Sequence, residues 1–263
     1  MESLLLLIIS ILPIYLIGIY LYKKDKEKEP TKLLVKLFIG GSISCILVLI
    51  ITILLGFFFP ILLEETSNLN FTELFFQVFF GIALIEEFCK WFMVYKISYH
   101  NQEFDEFYDI ILYATFVSLG FACFENILYV FENGMTIALL RAITAIPGHV
   151  FDGILMGYFL GLAKLNTIYK KDNLRKKNLT LSILIPMITH GIYDFLIFSF
   201  VKSLNIIFFI LFIIYMIIMY IISFKRIKKI SSINNKLSYQ NNYCSNCGKI
   251  VNSLYCPNCG TKN

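Results

Sequence analysis

The chain has 263 residues, of which 58% are hydrophobic and 16% charged, with a formal net charge of +5. A soluble domain holds about 45–50% apolar and about 25% charged residues, so the composition excludes an ordinary soluble protein, and so apolar a chain will not stay disordered. The basic residues do not cluster on a soluble face, so no direct nucleic-acid partner is expected.

A helix that crosses the bilayer needs roughly 20 apolar residues. About seven such segments follow one another, near 3–22, 34–63, 72–96, 108–131, 137–163, 180–200 and 204–224. The fold class is therefore an all-α polytopic membrane protein. The first segment opens Met-Glu-Ser without a basic leader and reads as a retained anchor, not a cleaved signal. The second is long enough to tilt. Lysine and arginine collect after the first, fifth and seventh segments, at Lys23–Lys32, Lys164–Lys177 and Lys225–Lys229. Cytoplasmic loops carry that excess, so the amino terminus is expected outside and the carboxyl terminus inside.

Several charges fall inside these spans: Glu86, Glu87 and Lys90 on the third, Glu125 on the fourth, His149 and Asp152 on the fifth, His190 and Asp194 on the sixth. A charged group at a helix centre costs roughly 2.5–3.5 kcal/mol to insert, so these groups must face one another and not lipid. Four helices bring acids or imidazoles to a similar expected depth. Glu86 and Lys90 are spaced i,i+4, as are His190 and Asp194, which puts each pair on one helix face. Glu87 lies about 100° around the helix and is expected to leave one carboxylate unshared. Asp109 and Asp152 rank below these groups, either lining the cavity or satisfying kinked backbone. Arg141 is expected to snorkel to the interface. Pro147 precedes His149 and Pro186 precedes His190, and each predicts a kink beside a wet cavity. Gly153, Gly157 and Gly161 continue the row begun by His149, a small-residue seam for a close helix neighbour.

Buried carboxylates can serve as general bases toward water, and histidine can orient that water, stabilise an oxyanion or ligate a metal. These are parts for hydrolysis within the membrane. The chain has no HExxH, no GxGD pair and no G-x-S-x-G elbow. The lack of a local HExxH favours a mechanism without metal, although ligands from separate helices build a metal site equally well.

Four stretches in order, IEEFCKW (85–91), GFACFENILYVFE (120–132), IPGHVFDGILMGY (146–158) and THGIYDF (189–195), resemble the PrsW family of intramembrane proteases, which is distantly related to the CAAX prenyl protease group. The resemblance covers roughly residues 70–200 and implies a catalytic set of Glu86, Glu87, Glu125, His149 and His190. It implies site-1 cleavage of a membrane-bound anti-sigma factor in a stress response, with a single-pass membrane protein as substrate and the cell membrane as location. It leaves open whether the mechanism is glutamic or metal-dependent.

The tail, YCSNCGKIVNSLYCPNCGT at 243–261, holds two CxxCG knuckles and resembles a short zinc ribbon. Cys244, Cys247, Cys256 and Cys259 supply the four thiolates that a structural zinc requires, and a cytoplasmic location disfavours disulfides. The expected organisation is a transmembrane domain at 1–226, a polar linker at 227–242 and the ribbon at 243–263, where a cytoplasmic protein partner could dock. Two rival functions remain. A proton- or ion-coupled transporter would string ionisable groups across the full membrane depth or show inverted repeats, and neither is visible. A non-enzymatic sensor carrying the ribbon would leave the paired glutamates idle.

Overall fold

The computed structural model describes residues 2–232, 242–243, 250–251 and 258–259. The membrane part is helical: α1 (Glu2–Lys24), α2 (Thr31–Gly56), α3 (Phe71–Phe76), α4 (Leu84–Ser98), α5 (Phe107–Ile143), α6 (Ala145–Ile168), α7 (Asp172–Ser203) and α8 (Ile206–Ser232). The polarity is inside out. Ile50, Ile53 and Leu54 on α2 and Ile214, Ile217 and Ile221 on α8 face outward, whereas Glu86, Glu87, Lys90, His149 and His190 are buried. Such a distribution is stable only where the surroundings are lipid.

Among the described residues, five helical stretches are long and apolar enough to cross a membrane: Leu6–Lys24, Thr31–Gly56, Phe107–Ile168, Asp172–Ser203 and Ile206–Lys228. The fourth and fifth expected segments fall together in the 62-residue stretch Phe107–Ile168. This stretch turns back on itself. Gly134 sits at φ +79° inside α5, a left-handed conformation that costs glycine little, and Thr144 breaks the helix between α5 and α6. The expected third segment is not among the five, because Glu86, Glu87 and Lys90 dilute its apolarity. The second ends earlier than expected: α2 stops at Gly56, and Pro60–Leu63 forms a 3₁₀ turn.

α5 lies at the centre, with α1, α2, α4 and α6 packed around it. The small-residue seam expected on α6 closes against it. A Cβ at Gly157 would lie 2.5 Å from Ile111 Cα, and one at Gly153 would lie 3.0 Å from Thr115 Cα, so the two helices run antiparallel in near backbone contact. On the other side Gly41 of α2 sits against the Val117 carbonyl, and Gly120 of α5 against that of Phe38.

The third segment is not one regular helix. α3 is opened by a capping box: Asn70 Oδ1 accepts from the Thr72 and Glu73 amides, and Glu73 Oε2 accepts from the Asn70 amide at 2.9 Å. Residues Gln77–Ala83 then form a π-helix that runs into α4. Gln77 anchors this wide turn by donating to the Ile61 and Glu64 carbonyls at 2.8 Å each. π turns are frequent at functional sites, and this one resets the helical phase immediately before Glu86 and Glu87.

Pro147 does not kink a span. It stands in the first turn of α6, where a missing N–H costs nothing, so the expected break before His149 is instead a helix start. Pro186 does lie within α7, as expected. α8 continues through Ser232, into the stretch expected as linker. Beyond it, Asn242–Tyr243 and Ile250–Val251 pair antiparallel as two short strands flanking 244–249. Cys244, Cys247 and Cys256 lie outside the described residues, while Cys259 is described and exposed.

Candidate active site

Glu86 and Glu87 occupy the first turn of α4, His149 the second turn of α6, and His190 a turn beyond the Pro186 step in α7. One ligand atom from each lies within 4.8 Å of all the others, and all four side chains are buried. Three helices thus bring two carboxylates and two imidazoles to one point. The fifth expected residue, Glu125 on α5, joins through an intermediary: its Oε2 lies 2.8 Å from His149 Nε2.

Lys90 sits among the four. Its ammonium is fully buried, 2.8 Å from Glu87 Oε1, 3.3 Å from Glu86 Oε2 and 3.1 Å from His149 Nδ1, and it stands 3.9 Å above the Phe121 ring. This corrects the expectation that Glu86 takes the lysine and Glu87 is left over. The i,i+3 spacing serves Glu87 better than i,i+4 serves Glu86, and one ammonium with three protons reaches both.

His190 is held from both sides. Nδ1 lies 2.9 Å from Glu87 Oε1, and Nε2 lies 3.3 Å from Asp194 Oδ2 and 3.8 Å from Glu86 Oε2. The i,i+4 pairing of His190 with Asp194 is therefore present. The two imidazoles meet edge to face with centroids 5.3 Å apart. Asp152 belongs to the wall beneath them: Thr189 donates to its Oδ1 at 2.6 Å, and the Thr189 carbonyl accepts from Tyr215 at 2.6 Å.

Arg141 does not snorkel. Its Nη2 donates to Glu125 Oε2 at 2.8 Å, its Nε donates to Asn126 Oδ1 at 2.9 Å, and its guanidinium stacks 4.2 Å from the Tyr129 ring centroid. Asn126 in turn donates to the Ser10 carbonyl of α1 at 3.0 Å. Sequence reasoning missed both Arg141 and Asn126. A signal existed: with Lys90 given to the paired glutamates, Glu125 needed another cation, and Arg141 is the one basic residue between it and His149. Asp109 also resolves differently from either expectation, since its Oδ2 accepts the Glu106 amide at 2.6 Å and caps the start of α5 far from this cluster.

The model of the PrsW family of intramembrane metalloproteases matches residues 29–222. The chain belongs to this family. A Protease PrsW of Oceanobacillus iheyensis is 43% identical over 181 residues, covering 69% of this chain and 77% of the relative. That of Bacillus subtilis is 35% identical, covering 68% and 76%, and that of Clostridioides difficile is 31% identical, covering 73% and 79%. No solved structure matches. The chain is thus a multi-pass intramembrane protease.

The family description includes a metal, and the residues present fit one. Two carboxylates with two imidazoles form the mixed oxygen and nitrogen set that suits zinc and its first-row neighbours. Glu87 Oε2 is buried without a hydrogen-bond partner, so this carboxylate keeps an acceptor open while its Oε1 faces Lys90 and His190.

Proposed function

We propose that His149, His190 and one of the paired glutamates, Glu86 or Glu87, would hold a divalent metal, zinc by donor type, and that at this cluster the protease hydrolyses a peptide bond of a single-pass membrane regulator such as an anti-sigma factor. The observation that carries this reading is the convergence of the four donors from α4, α6 and α7 inside a bundle with an apolar exterior. When bound, the metal supplies Lewis acidity toward a water and toward the scissile carbonyl. The chain's own residues do the rest. Glu125 fixes the His149 ring through Nε2, and Arg141 fixes Glu125, so His149 presents Nδ1 to the cluster. Asp194 does the same for His190 at Nε2. The other paired glutamate, the one not holding the metal, takes the water's proton and passes it to the leaving amine. Lys90 keeps the two carboxylates together and counters their charge.

Lys90 also favours a second reading, in which its ammonium stands where a metal would and the paired glutamates alone activate the water with histidine assistance. The two readings part on metal content. Around either, we read seven spans with the amino terminus outside and the carboxyl terminus in the cytoplasm, which the lysine and arginine clusters support. We also read a zinc ribbon at 243–263, on a cytoplasmic tail, as a docking module for a protein partner. The antiparallel pairing of Asn242–Tyr243 with Ile250–Val251 supports this reading.

Cleavage of candidate single-pass regulators, compared in cells carrying the wild type or Glu87→Ala, tests the function. Processing that stops in the variant supports it, and equal processing in both strains sinks it.

A further inference from the structure

A second cluster lies at the far end of α5, away from the protease site. Asp25, in the connection between α1 and α2, meets Glu106 and Asp109 at the start of α5, with one carboxylate oxygen from each within 4.8 Å of the others. All three are buried, Asp25 at 3%, Glu106 at 4% and Asp109 at 0% exposure. Acid clusters alone mean little, because exposed ones are common and helix starts attract carboxylates. Here a second feature matters: Asp25 Oδ1 and Asp109 Oδ1 are each buried with no hydrogen-bond partner.

The described hydrogen bonds to these two side chains come from main-chain amides, and each goes to the other oxygen. Glu29 N donates to Asp25 Oδ2 at 3.3 Å, and Asp105 N and Glu106 N donate to Asp109 Oδ2 at 3.1 and 2.6 Å. Lys28 stands near Asp25, and its ammonium donates to the carbonyls of Tyr22 and Asp25 at 2.7 and 2.5 Å. The segments that carry the acids are already fastened to each other. Tyr108 donates to the Leu21 carbonyl at 3.0 Å, and Tyr113 of α5 donates to Glu29. Carboxylates buried this close together must either take up protons or share a cation, and the open Oδ1 atoms of Asp25 and Asp109 offer the cation two ligands.

We propose that Asp25, Glu106 and Asp109 form a binding site for a hard divalent cation, calcium or magnesium, that clamps the α1–α2 connection to the amino-terminal end of α5. The donors are oxygen only, which selects hard cations over zinc. Oxygens that share one calcium at 2.3–2.6 Å lie at most about 5 Å apart, and these three lie within 4.8 Å of one another. The site differs in donor type and location from the cluster of Glu86, Glu87, His149 and His190. Nothing in it depends on how the protease works.

The test is calorimetric titration of the full-length, metal-stripped protein in detergent with calcium chloride and, separately, magnesium chloride. Displacement of terbium luminescence, sensitised by Tyr108 and Tyr113, gives a second readout. The expected result is binding of calcium or magnesium that weakens about tenfold or more in Asp25→Asn and in Asp109→Asn, with a melting temperature that rises on adding the cation to wild type only. The better-bound cation identifies the occupant. Asp109→Asn can disturb the start of α5, but Asp25→Asn leaves that cap intact and decides the matter if the other variant does not fold. No binding of either cation by the wild type at about 10 mM, far above the Kd range of protein calcium sites, overturns the proposal. So does Asp25→Asn binding equal to wild type.

Discussion

The two buried clusters solve the same electrostatic problem differently. At the proposed protease site the acids arrive with their own cations: Lys90 serves Glu86 and Glu87, and Arg141 serves Glu125. At the start of α5 the acids Asp25, Glu106 and Asp109 come together, and Asp25 Oδ1 and Asp109 Oδ1 are buried without a hydrogen-bond partner while main-chain amides bond their other oxygens. The first is a mixed set with imidazoles that can move protons, and the second is a set of oxygens suited to holding an ion. The contrast teaches that burial of a carboxylate is not itself a sign of catalysis. On the proposals made above, what surrounds it, imidazole and ammonium or other carboxylates, separates reactive chemistry from fastening.

Changes at the first cluster should break the comparison most sharply. Glu86→Gln and Glu87→Gln should each lower proteolysis by roughly 10²–10⁴-fold while the protein still inserts, since removing a buried charge eases insertion but deletes the base. Cleavage assays beside membrane fractionation check this, and loss of protein from the membrane would assign the glutamates a structural role. Next, His149→Ala and His190→Ala should act on one step, so the double variant should be no slower than the slower single one. Multiplicative losses would mean that the rings serve separate purposes. A smaller effect follows for the supporting shell: Arg141→Gln should cost roughly 10–100-fold in activity or metal affinity, because Glu125 then loses the group that aims it at His149. The smallest effect belongs to the second cluster, where Tyr113→Phe removes one bond to Glu29 and should cost about 1 kcal/mol in unfolding experiments without changing cleavage.

Much of the first cluster was legible in the sequence because ionisable residues in apolar runs are rare and must meet. Glu86, Glu87, His149 and His190 follow from that rule, and so does the seam of Gly153 and Gly157 against α5. What escaped depended on geometry that spacing does not carry. The π-helix at Gln77–Ala83 has no sequence signature distinct from an α-helix, yet it sets the phase of the glutamates. Pro147 looked like a kink because the break at Thr144 was not apparent, and the turn at Gly134 lets Arg141 fold back onto Glu125. The second cluster stayed hidden for another reason. Asp25 is more than 80 residues from Glu106 and Asp109 in a loop rich in charge, and only the fold brings the three together.

Metal content of the purified enzyme tests the central claim most directly. Elemental analysis should use a full-length variant with Cys244, Cys247, Cys256 and Cys259 all replaced by serine, so that no tail thiolate contributes. The account predicts about one equivalent of zinc or a neighbouring transition metal per chain, lost in His190→Ala and removed together with activity by a strong chelator. Full cleavage activity in a preparation free of transition metal would contradict it and leave Lys90 as the only cation at the glutamate pair.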